Sequence, residues 1–267
     1  MRLHRREYRL RYDDVDGRGL ARPAALLDIL EDAAASHCED AGWSVFRLMQ
    51  EGFGWVLLRG GLEMLRYPRY HEEMAVETWV SGDRRFSAER EYLLVAGRDG
   101  AREVLGFARG QWLFCDLARR RPASILPDFI SAWAPGGGWA GPLELTDIEA
   151  PSSRPAPEGG DISAGFAVRS ADIDTNGHVN NVVYLGWALE ALPREERERG
   201  VLRRIRGQWK RELTMGASAS PWCEPLGAGR YRLGVYGSTA ADGGSGADSA
   251  EPWLAAAAET EWTPLAI

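Results

Sequence analysis

The amino-acid sequence predicts an α+β fold written twice, each copy a long helix packed on one face of an antiparallel sheet. Three features carry that expectation. The segment RYDDVDGRGLARPAALLDIL (11–30) reappears as RSADIDTNGHVNNVVYLGWA (169–188), so that Arg11 falls on Arg169, Asp14 on Asp172, Val15 on Ile173, Asp16 on Asp174 and Gly19 on Gly177. Both copies share one grammar: a strand, an Asp-x-Asp turn, a glycine and an apolar helix. Strand-like segments follow each helix, and a Pro- and Gly-rich stretch separates the halves.

In the first half, residues 5–12 read as a strand. Pro23 suits the first position of a helix and Gly42 its stop, which predicts a helix over about 23–41. Four strands are expected next, at 55–66, 74–82, 85–96 and 103–116. In the third, Phe86, Ala88, Tyr92 and Leu94 share one face and Ser87, Glu89 and Glu91 the other, the period-two pattern of a half-buried antiparallel strand. Arg90 interrupts the apolar face and reads as an edge residue snorkelling to water rather than as a pocket residue. Residues 134–161, containing PGGGW and APSSRPAPEGG, read as a linker. Domains are therefore expected at 1–133 and 162–267. The second half repeats the order: a strand at 162–170, a helix at about 181–192 ending before Pro193, and strands near 203–213, 229–237 and 251–262. TAADGGSGADSA (239–250) reads as a hairpin loop.

Composition narrows the function classes. The 267 residues suit two domains of about 100–150 residues each. A hydrophobic content of 45% and eleven Trp can fill real cores, which excludes a disordered chain. A net charge of −7 argues against a nucleic-acid partner. No apolar run approaches the roughly 18–20 residues that span a membrane. The start, MRLHRREYRLRY, lacks the apolar core of a secretion signal. Cys38, Cys115 and Cys223 are odd in number and widely spaced, fitting neither a disulfide framework nor a zinc site, so a cytoplasmic location is expected. Without a metal-ligand spacing, P-loop or GxGxxG unit, neither a metal nor a cofactor is expected.

The chemistry-bearing stretch is DIDTNGHVNNVVYLGW (172–187). Asp174, Asn176 and His178 recur at every second position and in an extended segment would point to one side. A carboxylate fixes the tautomer of a neighbouring imidazole, and an amide can hold a water or a carbonyl oxygen. The helix beginning near Asn181 offers free backbone N–H groups suited to an oxyanion. Asp, Asn and Gly before a helix equally serve as a plain turn and N-cap. On the local pattern alone both readings stand.

RSADIDTNGHVNNVVYLGWALEALP closely resembles the signature segment of the acyl-ACP thioesterases, the plant FatA/FatB type and their bacterial relatives. LLDILEDAAASHCEDAGWS, RYPRYHEEMAVETW and RGQWLFCDLARRRP resemble the corresponding segments of the first half. The resemblance implies two tandem hotdog domains, the first binding the acyl chain and the second catalytic. It implies that Asp174, Asn176 and His178 are the family's catalytic Asp, Asn and His, and that Glu212, in WKRELTMG, is its further carboxylate. The family's adjacent cysteine is Leu213 here. A leucine cannot attack a thioester, and Cys223 reads as a small buried hydrophobe. Direct hydrolysis by water is therefore expected. Glu212 or His178 would be the base, with Asp174 holding the pair and Asn176 positioning the water or the thioester oxygen. Backbone N–H groups near Gly177–Val179 or the helix start would stabilise the oxyanion.

By the same resemblance, the acyl chain would lie between helix and sheet of the first domain. Leu26, Leu27, Leu30, Trp55, Leu57 and Trp79 are candidate lining residues, or simple core. The implied partner is acyl carrier protein bearing a fatty acyl thioester, in fatty acid biosynthesis. Arg84–Arg85, Arg119–Arg121 and Arg203–Arg211 are candidate docking clusters for that acidic carrier, or solvated surface. The rival functions are an acyl-CoA thioesterase, a hotdog enoyl-thioester hydratase and a non-catalytic acyl-thioester sensor. Two hotdogs in one chain allow a monomer or a homodimer.

Overall fold

Pro23 opens helix α1 (Pro23–Asp40), and a glycine just beyond its end closes it. Gly42 takes φ +77°, so its N–H reaches Glu39 O (2.8 Å) while Trp43 N–H reaches Cys38 O (2.8 Å). This is the Schellman stop that a glycine in the left-handed region permits. Ala25, Leu26, Leu30, Ala33, Ala34, His37 and Cys38 form the buried face of α1, spaced three and four apart as an amphipathic helix requires.

The computed structural model describes residues 3–97, 102–133, 142–149, 161–162, 165–239 and 252–265. Two units divide the chain, Met1–Leu145 and Thr146–Ile267. The first holds β1 (His4–Arg9), α1, α2 (Val45–Gln50), β2 (Phe53–Met64), β3 (Glu73–Arg84), β4 (Ser87–Ala96), β5 (Glu103–Asp116), β6 (Arg121–Pro122) and α3 (Pro127–Trp133). Its antiparallel sheet runs β1-β3-β4-β5-β2, with β6 on β5. The second holds β7 (Asp161–Ile162), β8 (Phe166–Ala167), α4 (Asn181–Glu190), α5 (Arg194–Arg199), β9 (Gly200–Trp209), β10 (Ala217–Gly227), β11 (Arg230–Thr239) and β12 (Trp253–Pro264). Its sheet runs β9-β12-β11-β10, with β7 and β8 both on β10. A helix against an antiparallel sheet, twice, is the tandem hotdog expected from the sequence.

Several elements depart from the sequence reading. The strand expected at 162–170 is two short pieces, β7 and β8, followed by a 3-10 turn at Ser170–Asp172. The expected linker and the loop at 239–250 fall largely on residues 134–141, 150–160 and 240–251, which lie outside the described residues. Strand β10 falls where no strand is expected, in a stretch whose prolines, Pro221 and Pro225, suggest a strand edge or turn. Both are tolerated since, among the described residues, β10 has a full partner only in β11 and short partners on its other side. Helix α3 was also missed. It supplies Phe129 and Trp133, which pack with Trp43, Trp55 and Phe114 into an aromatic core.

Arg90 corrects the sequence reading. It is 4% exposed, with Nη1 at 2.9 Å from His37 Nδ1 and 3.2 Å from Thr78 Oγ1, and its guanidinium lies over Trp133. Strand β4 sits between β3 and β5, so it offers no edge from which an arginine could snorkel.

The duplication extends to hydrogen bonds. Arg11 N–H donates to Asp14 Oδ2 and Arg169 N–H to Asp172 Oδ2, both at 2.7 Å, and each arginine side chain also clasps its carboxylate. Arg11's hydrogen bond holds Asp14 below the usual carboxylate range. Burial pushes Asp172 upward, but the bonds from Arg169 outweigh it and the net shift is downward. A carboxyl lowered in the folded state contributes stability in full above its unfolded value of about 3.9, and loses it as pH falls through the folded value. Asp172→Asn is therefore expected to cost about 1–3 kcal/mol at neutral pH. In urea unfolding, the difference from wild type should hold from pH 7 to 5 and fade toward pH 2; a difference undiminished at pH 2 would contradict it.

Candidate active site

Residues 172–180 fold into a tight turn rather than an extended run. Asp174 N–H donates to His178 O (2.8 Å), Gly177 N–H to Asp174 O (3.1 Å), and Ile173 pairs with Val179. Gly177 makes this possible at φ +78°. The Asp174 carboxylate accepts from the backbone N–H groups of Asn176 (2.8 Å) and His178 (3.3 Å) and from Asn176 Nδ2 (3.3 Å). Asn180 caps α4, its Oδ1 accepting from Val182 N–H at 2.7 Å.

Glu212 arrives from the loop between β9 and β10. Val179 N–H donates to Leu213 O at 2.9 Å, which pins the two segments together. One residue earlier in each segment, His178 Nε2 and Glu212 Oε2 stand 3.3 Å apart. Their side chains are 31% and 40% exposed, open to a ligand from solvent. Leu213 is buried, and its N–H donates to the Tyr184 hydroxyl at 2.6 Å. Burial pushes the Tyr184 phenol up to about 12, and the Glu212 and Asp174 carboxylates add to that shift. In the sequence Tyr184 reads only as an apolar helix position. Its match to Leu26 in the repeat concealed the hydroxyl's use.

The structure thus brings Asp174 to Asn176 and His178 to Glu212. It differs from the expected arrangement in two respects. The Asp174 carboxylate is engaged by the turn backbone and the Asn176 amide, so it braces the loop rather than the imidazole ring. The N–H groups of Gly177, His178 and Val179 are already spent on Asp174 O, Asp174 Oδ1 and Leu213 O, which removes them as oxyanion donors. Asn176, exposed, retains one amide hydrogen and its carbonyl oxygen. Arg211 lies over the Trp253 ring, and Cys223 is buried on β10.

The candidate lining residues separate. Leu26 and Leu30 lie on the buried face of α1, Leu27 is half-buried beside it, and Trp55 packs into the aromatic core with Phe114. Leu57, two residues along β2, is buried. Trp79 does not join them. Thr78 reaches Arg90 beneath α1 and Val80 packs with Cys38, so the pleat turns Trp79 to the opposite face. There it packs with Ala75, Leu93 and Val95 and borders a groove of about 450 Å³.

The chain is thus a double hotdog whose second unit presents an imidazole, a carboxylate and an amide just before a helix. The comparisons give the family. The acyl-ACP thioesterase N-terminal domain model matches residues 1–133 and the acyl-ACP thioesterase C-terminal domain model residues 157–234. The chain belongs to the acyl-ACP thioesterase family.

Among its relatives is the oleoyl-acyl carrier protein thioesterase 1 of Arabidopsis thaliana, 25% identical over 78% of this chain and 60% of the relative. Another is the palmitoyl-acyl carrier protein thioesterase of Gossypium hirsutum, 28% identical over 70% of this chain and 46% of the relative. The chain spans about half the length of the curated relatives it matches. The fold is shared with an acyl-ACP thioesterase from Bacteroides thetaiotaomicron, at TM-score 0.79 and 22% identity over 98% of both chains. It is shared also with the 12:0-ACP thioesterase of Umbellularia californica, at TM-score 0.80 and 19% identity over 98% of this chain and 97% of that one.

Gly177 and its repeat partner Gly19 (φ +74°) both have open space where a Cβ would stand. Alanine at either position should cost only the backbone strain, about 1–2 kcal/mol. Gly177→Ala is expected to lower the turnover of the site as well, and Gly19→Ala to leave it near wild type. Thermal melts paired with rate measurements check both.

Proposed function

We propose that the protein hydrolyses fatty acyl thioesters carried on acyl carrier protein, releasing free fatty acid and carrier thiol. The observation carrying this is the 3.3 Å contact of His178 Nε2 with Glu212 Oε2, made by two distant segments in a member of this family. The contact makes these two side chains the general base of the site. That base takes a proton from water as the water oxygen bonds to the thioester carbonyl carbon. Asn176 holds that water or the carbonyl oxygen with its unspent amide hydrogen, and the N–H of Asn181 at the start of α4 is a further donor for the developing oxyanion. Collapse breaks the carbon–sulfur bond, and the proton held by the pair passes to the departing thiolate. No step needs a cofactor. Asp174 keeps the loop in shape throughout.

Charge supports an acidic carrier. Phe114 N–H donates to Phe86 O and Ile125 N–H to Arg85 O, which draws Arg84 and Arg85 together with Arg119, Arg120 and Arg121. All five are exposed, beside the exposed apolar Phe86 and Leu117. An acidic, helical protein surface suits such a patch. Three free, buried cysteines support a reducing, cytoplasmic setting.

His178→Ala and Glu212→Gln are each expected to lower kcat on a saturated acyl-ACP by about 100-fold or more, with circular dichroism and melting unchanged. Thiol release is the readout, on a panel of acyl-ACP and acyl-CoA substrates of varied length. Full activity in either variant removes that residue's role. Hydration of an enoyl thioester without thiol release, or binding without turnover, overturns the hydrolytic reading. Reversing Arg85 and Arg121 to Glu is expected to raise KM for acyl-ACP about tenfold at low salt, and to leave a small acyl thioester unaffected. An unchanged KM for acyl-ACP would place the carrier elsewhere.

A further inference from the structure

The two repeats differ at one pair of positions in a way that assigns a role to Tyr184. In the first unit, Ala21 N–H donates to Pro68 O at 2.9 Å; in the second, Val179 N–H donates to Leu213 O at the same distance. The sequence repeat sets Ala21 against Val179, so these bonds set Pro68 against Leu213 and Tyr67 against Glu212. The helix residue matching Tyr184 is Leu26, which is fully buried. Pro68 has no N–H to satisfy, and a leucine suffices in the helix beside it. Leu213 does have an N–H, buried with the rest of the residue at 1% exposure, and Tyr184 supplies the oxygen that accepts it at 2.6 Å.

The fold therefore closes this turn without a tyrosine in one unit and with one in the other. What distinguishes the second is the residue just before the clamped nitrogen, Glu212. Leu213 is held on both sides: Tyr184 takes its N–H, and Val179 N–H donates to its carbonyl. Neighbouring backbone bonds fix where the Glu212 side chain leaves the chain.

We infer that Tyr184 is a positioning residue that holds the Glu212–Leu213 peptide so that the Glu212 carboxylate meets the His178 imidazole. The inference rests on the hydrolytic reading only for its kinetic consequence. Tyr184→Phe keeps the ring and removes the acceptor. It is expected to lower kcat on acyl-ACP by about 10- to 100-fold with KM within about twofold.

The double variant Tyr184→Leu with Leu213→Pro copies the pair found in the first unit. It removes the unsatisfied N–H and is expected to regain melting temperature relative to Tyr184→Phe without regaining kcat. A purely structural tyrosine predicts recovery of both, and that result would overturn the inference, as would wild-type kcat in Tyr184→Phe. A third readout is independent of turnover. In Tyr184→Phe the Leu213 amide should exchange faster with solvent, and the His178 ring resonances should move toward those of Glu212→Gln. If the wild type releases no thiol from any acyl thioester, the hydrolytic reading fails, while these spectra still decide the role of Tyr184. Unmoved His178 resonances would end it.

Discussion

The bond from Val179 N–H to Leu213 O is the contact on which the candidate site depends. It joins the turn before α4 to the loop between β9 and β10, segments that share no local reason to meet. A single such bond is worth only about 1 kcal/mol net. Its force lies in being over-determined. Val179 and Leu213 are both buried, Ile173 pairs across to Val179, and Asn180 N–H closes back on Asp172 O at 2.9 Å. Residues 178 and 212, one step earlier on each side, are then presented to each other at the surface with little freedom to part.

The first unit shows that this scaffold closes without the polar set of the second. Asp16 N–H meets Leu20 O at 2.8 Å, Arg18 N–H meets Asp16 Oδ1 at 2.8 Å and Arg22 N–H meets Asp14 O at 2.8 Å, bond for bond the pattern of the second unit. The side chains differ. Arg18 folds back on Asp16, with Nη2 2.7 Å from Oδ2. Leu20 is buried where the second unit has His178, and Tyr67 is buried where it has Glu212. Burial pushes the Tyr67 phenol upward, with Arg18 opposing and Asp16 adding to the shift. One turn has thus been closed with apolar and self-paired groups, and the other left with polar groups facing out.

The architecture was legible because its signals are local. Pro23 and Gly42 bracket α1, and the segment expected as a strand at 103–116 is β5 to the residue. The elements missed were those whose local signal points elsewhere. Pro221 and Pro225 disguise β10, and α3 is too short for its periodicity to show. Asp174, Asn176 and His178 were legible as a set, but the shape joining them was not. Alternation suggested three side chains converging from a strand, whereas Gly177 turns the chain and spends three N–H groups on it. Arg90 and Trp79 were misplaced for a related reason. Which face of a strand meets the helix, and whether that strand has an edge, is decided by pairing partners far along the chain.

The orientation of residue 213 bears on the proposed attack on a thioester. Glu212 and Leu213 are consecutive, and the loop sends them opposite ways, the carboxylate toward His178 and the leucine into the interior. A Cβ on Gly237 would stand 2.4 Å from Leu213 Cδ2, so β11 carries a glycine where the leucine side chain needs the room. Leu213 is 1% exposed, and its backbone is held at both N–H and carbonyl. Any side chain at this position would be turned into that same pocket, away from the imidazole and from solvent. A nucleophile there would need the clamped peptide to flip, breaking the bond that brings Glu212 to His178. The proposed water meets no such conflict, because the His178–Glu212 pair keeps an exposed face.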